Sequence, residues 1–199
     1  MLSEVFVRSY AKKEYDKREI RRYAGASADF KELDALIDEC ISEIEERSLG
    51  KVCYCEFPIL HKNGYVDLGF TETSSRDLAK NLDSCARVVL FGASIGIEID
   101  RLIAKYSRVS PLKALVFQAI GAERIERLCD EFSRDIAKEK GLEGKTCRPR
   151  FSPGYGDLPI EMQREIFKVL DCQRKIGLTL NASMIMSPTK SVTAIIGVK

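Results

Sequence analysis

One long helix constrains this chain more than any other feature. Ser110–Pro111 supplies a cap followed by proline at the first helical position. The helical stretch runs to about Lys140 and stops at Gly141. The segments around it are mixed. Asp16 to Tyr23 reads as a short helix with Asp16 as N-cap, Glu19 at the third position and Gly25 after its end. Asp29 to Arg47 is amphipathic, with Leu33, Leu36, Ile37, Cys40, Ile41 and Ile44 on one face and a capping box of Asp29 and Glu32. Val52 to Ile59 reads as a strand, followed by a hairpin through Asn63–Gly64 into Tyr65 to Phe70.

Ser74 or Ser75 caps a helix through Leu82, and Arg87 to Phe91 is a short buried strand. The next stretch, Gly92 to Tyr106, starts with small residues and becomes helical, with Ile95, Ile99, Leu102, Ile103 and Tyr106 on one face. After a loop over 142–157, Pro159 to Cys172 reads as a helix with Ile160, Gln163, Phe167 and Leu170 aligned. Two strands, Gly177 to Leu180 and Ser191 to Val198, end the chain. Hairpin signals early and two-residue alternation late argue α+β rather than a regular βαβ succession. The expected organisation is a single mixed domain over 1–199. Its parts are a helical 1–50, strands and helices over 51–140 with the long helix at 111–140, the 142–157 loop, and a helix with strands over 158–199.

A chain of 199 residues suits one domain or at most two small ones. It is long enough to bury about 70% of its unfolded surface without staples. Hydrophobic residues at 45% and charged residues at 31% argue against disorder. No apolar run approaches the roughly 20 residues of a membrane helix. The first residues include acids and lack an apolar signal core, so a cytoplasmic location is expected. The net charge of +2 excludes a strongly cationic nucleic-acid binder but not a local basic patch. Residues 1–22 carry about +3 and residues 29–47 about −6, a pattern that solvated helix faces explain.

The seven cysteines are odd in number, and most sit at apolar-periodic positions, where they read as small core residues. Cys53 and Cys55, two apart, share a strand face but lack the spacing of zinc ribbons, so no metal site is expected. The lone histidine, His61, reads as a surface residue beside a turn. There is no Walker loop and no dinucleotide fingerprint. Gly92 to Gly96 follows a strand and opens a helix, where an anion could sit, although close packing explains its small residues better. Carboxylates lie on exposed helix faces, and no pair stands out as acid and base.

Arg150-Phe-Ser-Pro-Gly154-Tyr155-Gly156-Asp157 is the informative stretch. An arginine at the mouth of a glycine-containing turn can clasp a carboxylate. Gly154 lets a ligand approach the backbone, and Tyr155 offers a flat amphipathic face for a ring. Lys145 and Arg148 raise the local positive potential. A carboxylate joined to a planar heterocycle matches this set; a plain surface turn ended by an N-cap at Asp157 explains it too.

The R-x-x-x-G-Y pattern of Arg150, Gly154 and Tyr155 resembles the motif of the S-adenosylmethionine-binding activation domain of cobalamin-dependent methionine synthase. The likeness continues through Gly177-Leu-Thr-Leu-Asn-Ala-Ser183-Met-Ile-Met186-Ser-Pro188-Thr-Lys190-Ser191-Val192. It is specific over about 148–197 and looser over 74–135. The first 70 residues look more like those of small stand-alone relatives. The resemblance implies a bent antiparallel β-sheet flanked by helices. It also implies reductive methylation: S-adenosylmethionine gives its methyl group to a cobalamin oxidised to cob(II)alamin, with an electron from flavodoxin or another reductant. By the same resemblance Arg150 binds the methionyl carboxylate, while Ser152, Pro153 and Gly154 offer contacts along the loop. Tyr155 lies near the reacting face, and Ser191 and Val192 complete the cofactor-binding set.

The chain departs from the family in two places. An acidic residue near the domain start, which meets the ligand's amino group in the fused enzymes, has no counterpart, and Ile195 and Ile196 stand where aromatics follow the S-V segment. The D-x-H-x-x-G of a cobalamin module is missing, so the resemblance implies that cobalamin is carried by a partner, the cobalamin-binding part of methionine synthase. The chain then acts in trans as a reactivation component. A docking protein that caps a corrinoid domain, or an unrelated ligand-binding enzyme, remain the alternatives.

Overall fold

The computed structural model describes residues 4–11, 14–26, 31–44 and 50–199. In chain order the elements are β1 (Phe6–Tyr10), α1 (Lys17–Tyr23), α2 (Lys31–Ile44), β2 (Gly50–Pro58), β3 (Leu60–Lys62), β4 (Tyr65–Asp67), β5 (Glu72–Thr73), α3 (Arg76–Asn81) and β6 (Arg87–Ser94). They continue with α4 (Glu98–Tyr106), α5 (Pro111–Leu142), α6 (Met162–Leu170), α7 (Cys172–Ile176), β7 (Thr179–Leu180), β8 (Met186–Ser187) and β9 (Ser191–Val198). The central sheet is antiparallel throughout, in the order β1-β2-β6-β9. β3, β4 and β5 form a small second sheet, and β7 pairs with β8.

The central sheet is apolar on both faces. Side chains alternate along a strand, so β6 sends Val89, Phe91 and Ala93 to one side and Val88 and Leu90 to the other. This is why the segment reads as one continuous apolar run. On the first side α1, α2, α4 and α5 bring Ile20, Ile37, Ile99, Phe117 and Phe132 onto the sheet. On the second, α3, α6 and α7 bring Leu78, Ile166, Leu170 and Cys172. Full burial of a side chain such as Phe132 is worth about 1.5–3 kcal/mol. Packing of this kind, more than helix propensity, holds the 32-residue α5. The result is a mixed α+β fold, an antiparallel sheet with helices on both faces.

Several expectations hold in detail. Asp16 accepts from the Arg18 and Glu19 amides, Gly25 follows α1 with φ +71°, and Ser75 rather than Ser74 caps α3. Asn63–Gly64 joins β3 to β4, so that hairpin lies within the small sheet. The Asp29 cap, the Glu32 side chain and the helix end at Arg47 lie outside the described residues.

Others are corrected. β1 falls inside the stretch expected to be helical; it pairs with β2 from Phe6↔Tyr54 to Tyr10↔Gly50. Gly92, Ala93 and Ser94 continue β6 instead of opening a helix, and α4 begins only at Glu98. α5 passes through Gly141, and Gly144, at φ +71°, follows its end. The helix expected over 159–172 starts at Met162 and breaks at Asp171, which adopts a left-handed conformation between α6 and α7. Its buried face is Met162, Gln163, Ile166 and Leu170, while Ile160 precedes it and is exposed. Among the described residues no helix is long and apolar enough to cross a membrane.

Candidate functional site

The 142–157 loop is not free. Its first half runs along β9, at the edge of the central sheet. Thr146 and Lys199 exchange both backbone hydrogen bonds at 2.9 and 2.8 Å, and Phe151 and Ile195 do so at 2.8 and 2.9 Å. Cys147 stands opposite Val198 and Phe151 opposite Ile195. Three residues, Arg148, Pro149 and Arg150, therefore face only Ile196 and Gly197. One extra residue of this kind is a bulge, and it reverses the alternation of side chains.

The consequence is that two arginines only two residues apart point to opposite sides. Arg148 lies over Gly197 beside Cys85 and Leu82, on the α3 side, and donates to the Asp83 carbonyl at 3.0 Å. Arg150 reaches α5, where Nη2 donates to Glu126 at 2.5 Å and Nη1 to Asp130. Burial opposes the Arg150 charge, but the hydrogen bond to Asp130 and the two carboxylate charges outweigh it and raise its pKa. Arg150 is thus already paired, where a free arginine at a loop mouth was expected. Lys145 is likewise held by Glu143 at 2.5 Å, so neither Lys145 nor Arg148 adds a free charge beside Arg150.

After the bulge the chain makes a tight turn. Tyr155 N–H donates to Ser152 O at 3.1 Å, and Gly154 N–H donates to Leu158 O at 2.8 Å. Gly154 has φ +86° and Gly156 φ +55°, conformations that L side chains rarely adopt. Pro153 is buried, Ser152 half-buried, and Tyr155 exposed, its ring edge-on to Phe151 with centroids 5.3 Å apart. Asp157 does not cap a helix of its own. It caps α3, accepting from the Arg76 and Asp77 amides at 2.8 and 3.2 Å and from the Ser75 hydroxyl, while its own amide donates to Asp77 at 3.2 Å.

Ser191 and Val192 are not brought into this turn. They begin β9, four and three residues from the Phe151–Ile195 pair, roughly 13 and 10 Å along a strand. They also face opposite sides. Val192 packs with the α5 layer, and the Ser191 hydroxyl, on the other, donates to Pro188 O at 2.8 Å. Ile195 and Ile196, where the family has aromatics, are both buried core residues.

What sequence reasoning missed is the partner surface of Arg150. A cleft of about 450 Å³ opens between α1 and α5, walled by Asp16, Glu19, Glu123, Glu126 and Asp130 with arginines among them. Neither Arg150 nor Tyr155 is among its described walls; Arg150 meets the cleft only through Glu126 and Asp130, which are. Glu123, 3% exposed, accepts from Arg127 Nε at 2.6 Å and from the Asp16 amide at 3.2 Å, and its Oε2 has no protein donor. The spacing of 123, 126 and 130 puts three carboxylates on one helix face, a signal present in the sequence. The cleft combines fixed carboxylates with a guanidinium at its edge, the complement of a zwitterion.

Elsewhere, His61 is exposed with Nε2 3.2 Å from the Cys85 carbonyl oxygen. Six cysteines are buried and Cys147 is half-buried. Among the described residues no three His, Cys, Asp or Glu side chains gather as a metal site requires.

Comparison with known proteins adds a family. Residues 57–199 match the family model described as the activation domain of vitamin B12 dependent methionine synthase. No curated protein matches the chain. Among solved structures, the crystal structure of the MetH reactivation domain bound to AdoHcy is similar, with a TM-score of 0.74 at 14% identity. The match covers 98% of this chain and 78% of that one. At that identity the likeness speaks for the fold.

Proposed function

Because the chain belongs to the family of vitamin B12 dependent methionine synthase activation domains, we propose that it binds S-adenosylmethionine and supports reductive methylation of a cobalamin held by a separate methionine synthase. The observation that carries this is the bulge that turns Arg150 onto Glu126 and Asp130, two of the acids that wall the cleft. The residues fit the ligand's amino-acid end. Arg150 can exchange Glu126 and Asp130 for the methionyl carboxylate, and those two acids, with the unpartnered Glu123 Oε2, then face the ammonium. Opposite charges are satisfied before and after, so the exchange exposes no lone buried charge. The acid that the family places near its domain start is replaced, in this reading, by acids on α5. The 152–155 turn offers backbone groups, Tyr155 an exposed ring, and Ser191 with Val192 the start of the adjacent strand.

Bound S-adenosylmethionine supplies an electrophilic methyl group. This chain's residues hold and orient the ligand, and positioning is their whole contribution. The cobalamin belongs to the partner, and flavodoxin or another reductant supplies the electron. The similar structure was determined with AdoHcy, which lends support to a ligand of this class. A second reading, a docking protein that caps a corrinoid domain without methyl transfer, is favoured by the burial of Ile195 and Ile196, which leaves no aromatic for adenine there.

The test is reactivation in trans. A cob(II)alamin-loaded methionine synthase lacking its activation domain is mixed with S-adenosylmethionine and reduced flavodoxin, and the methylcobalamin absorbance is followed. The chain should make conversion possible. Binding to that enzyme without any conversion would favour the capping reading.

A further inference from the structure

Two sulfurs on the far side of the sheet from Arg150 touch each other in the core. Cys53, on β2, and Cys172, at the start of α7, are each 0% exposed. Their Sγ atoms lie 3.8 Å apart, although the residues are 119 positions apart in the chain. Both sit over Gly92 of β6. A Cβ at that position would lie 3.2 Å from Cys172 Sγ and 3.5 Å from Cys53 Sγ. The absence of a side chain at Gly92 is what lets the two sulfurs sit against the strand there. Forming a disulfide requires them to close to about 2.05 Å.

We propose that Cys53 and Cys172 form a reversible internal disulfide when the folded protein meets a peroxide. Cys53 sulfur attacks one peroxide oxygen, the O–O bond breaks, and a sulfenic acid and water result. Cys172 sulfur then attacks the sulfenic sulfur and displaces a second water. Two thiols and one hydrogen peroxide give one disulfide and two waters; sulfur is oxidised and peroxide oxygen reduced. The resolving thiol, already in contact, stops the sulfenic acid from advancing to the irreversible sulfinic state. The neighbouring groups favour Cys53 as the first nucleophile. The hydrogen bond it shares with Cys172 lowers its pKa against the effect of burial, with smaller help from the Gly92 backbone and Lys175. Cys55, on the same strand face, is pushed up to about 12 by burial and serves as an internal control. The link would fasten α7, and with it the segment leading into 177–192, to the central sheet.

The experiment needs no ligand and is independent of the S-adenosylmethionine reading. Folded protein is treated with hydrogen peroxide, unfolded in the presence of an alkylating agent, and digested without reductant for mass spectrometry. The expected product is a linked peptide pair containing Cys53 and Cys172, released by reductant, with five of the seven thiols alkylated. In Cys172→Ser the link should vanish and dimedone should label Cys53 instead. Alkylation of all seven thiols, a link between other cysteines, or Cys53 sulfinic acid in the wild-type protein would overturn the proposal. Because the wild-type map alone decides, failure of Cys172→Ser to fold leaves the test intact.

Discussion

Gly156 packs against Asp77 so closely that any side chain there would run into the carboxylate, and its φ of +55° is already left-handed. Gly154 is more forgiving, because the atom in its way is the terminal Cδ1 of Ile160 at 2.9 Å. A left-handed residue other than glycine costs about 1–2 kcal/mol. Gly154→Ala should show roughly that cost, and Gly156→Ala more, since the Asp77 contacts must shift as well. A chain of this size loses about 2–4 °C in Tm per kcal/mol. Thermal unfolding should therefore rank wild type above Gly154→Ala above Gly156→Ala, and equal melting temperatures would contradict the turn geometry. The sequence made Gly154 stand out for a ligand's close approach; the packing of the two glycines is a separate constraint. Their local reason depends on Ile160 and Asp77, and Asp77 belongs to a distant segment. The opposite facing of Arg148 and Arg150 was equally hidden. It follows from counting 147–151 against 195–198, and a single sequence does not display that register.

At the scale of elements, the N-terminus of α3 is held from outside by Asp157. Its pKa is lowered first by the Ser75 hydroxyl and then by the Arg76 amide. A carboxylate whose folded pKa lies below the unfolded value of about 3.9 stabilises the fold fully above that value. The contribution is lost as the pH falls through the lower folded pKa. Asp157→Asn should therefore be less stable than wild type near neutral pH. The difference should shrink below about pH 4, as read by denaturant midpoints across pH. A constant difference down to strong acid would argue against the cap. Asp157 was legible as a cap, but not as the cap of a helix some 80 residues earlier. α2 was readable because the apolar spacing that forms it also buries it, and the start of α5 was readable from Ser110–Pro111. β1 was not. Its five residues sit at a sheet edge with Phe6 and Val7 exposed, so the pattern that marks a buried strand is weak. The break at Asp171 was hidden because a left-handed non-glycine residue carries no sequence mark.

Across the whole molecule, the antiparallel sheet separates two layers with different work. The α5 layer carries the cleft, its carboxylates and Arg150, whereas the α6–α7 layer carries the paired thiols. The two layers meet at β9, where the bulged strand beside it selects which arginine faces which layer. Calorimetric titration with S-adenosylmethionine tests this arrangement most directly. Loss of a hydrogen bond to a charged group costs about 1.5–3 kcal/mol, or roughly ten- to hundredfold in affinity. Arg150→Ala should lose that much and also leave Glu126 and Asp130 to repel the ligand carboxylate. Its partly exposed ion pairs are worth only about 0.2–1 kcal/mol each, so the fold should survive. Arg150→Lys should recover part of the affinity, because an ammonium keeps the charge without the planar fork. Arg148→Ala, on the opposite face, should bind like wild type. If Arg150→Ala folds and binds as tightly as wild type, or if Arg148→Ala loses as much, the assignment of the site is wrong.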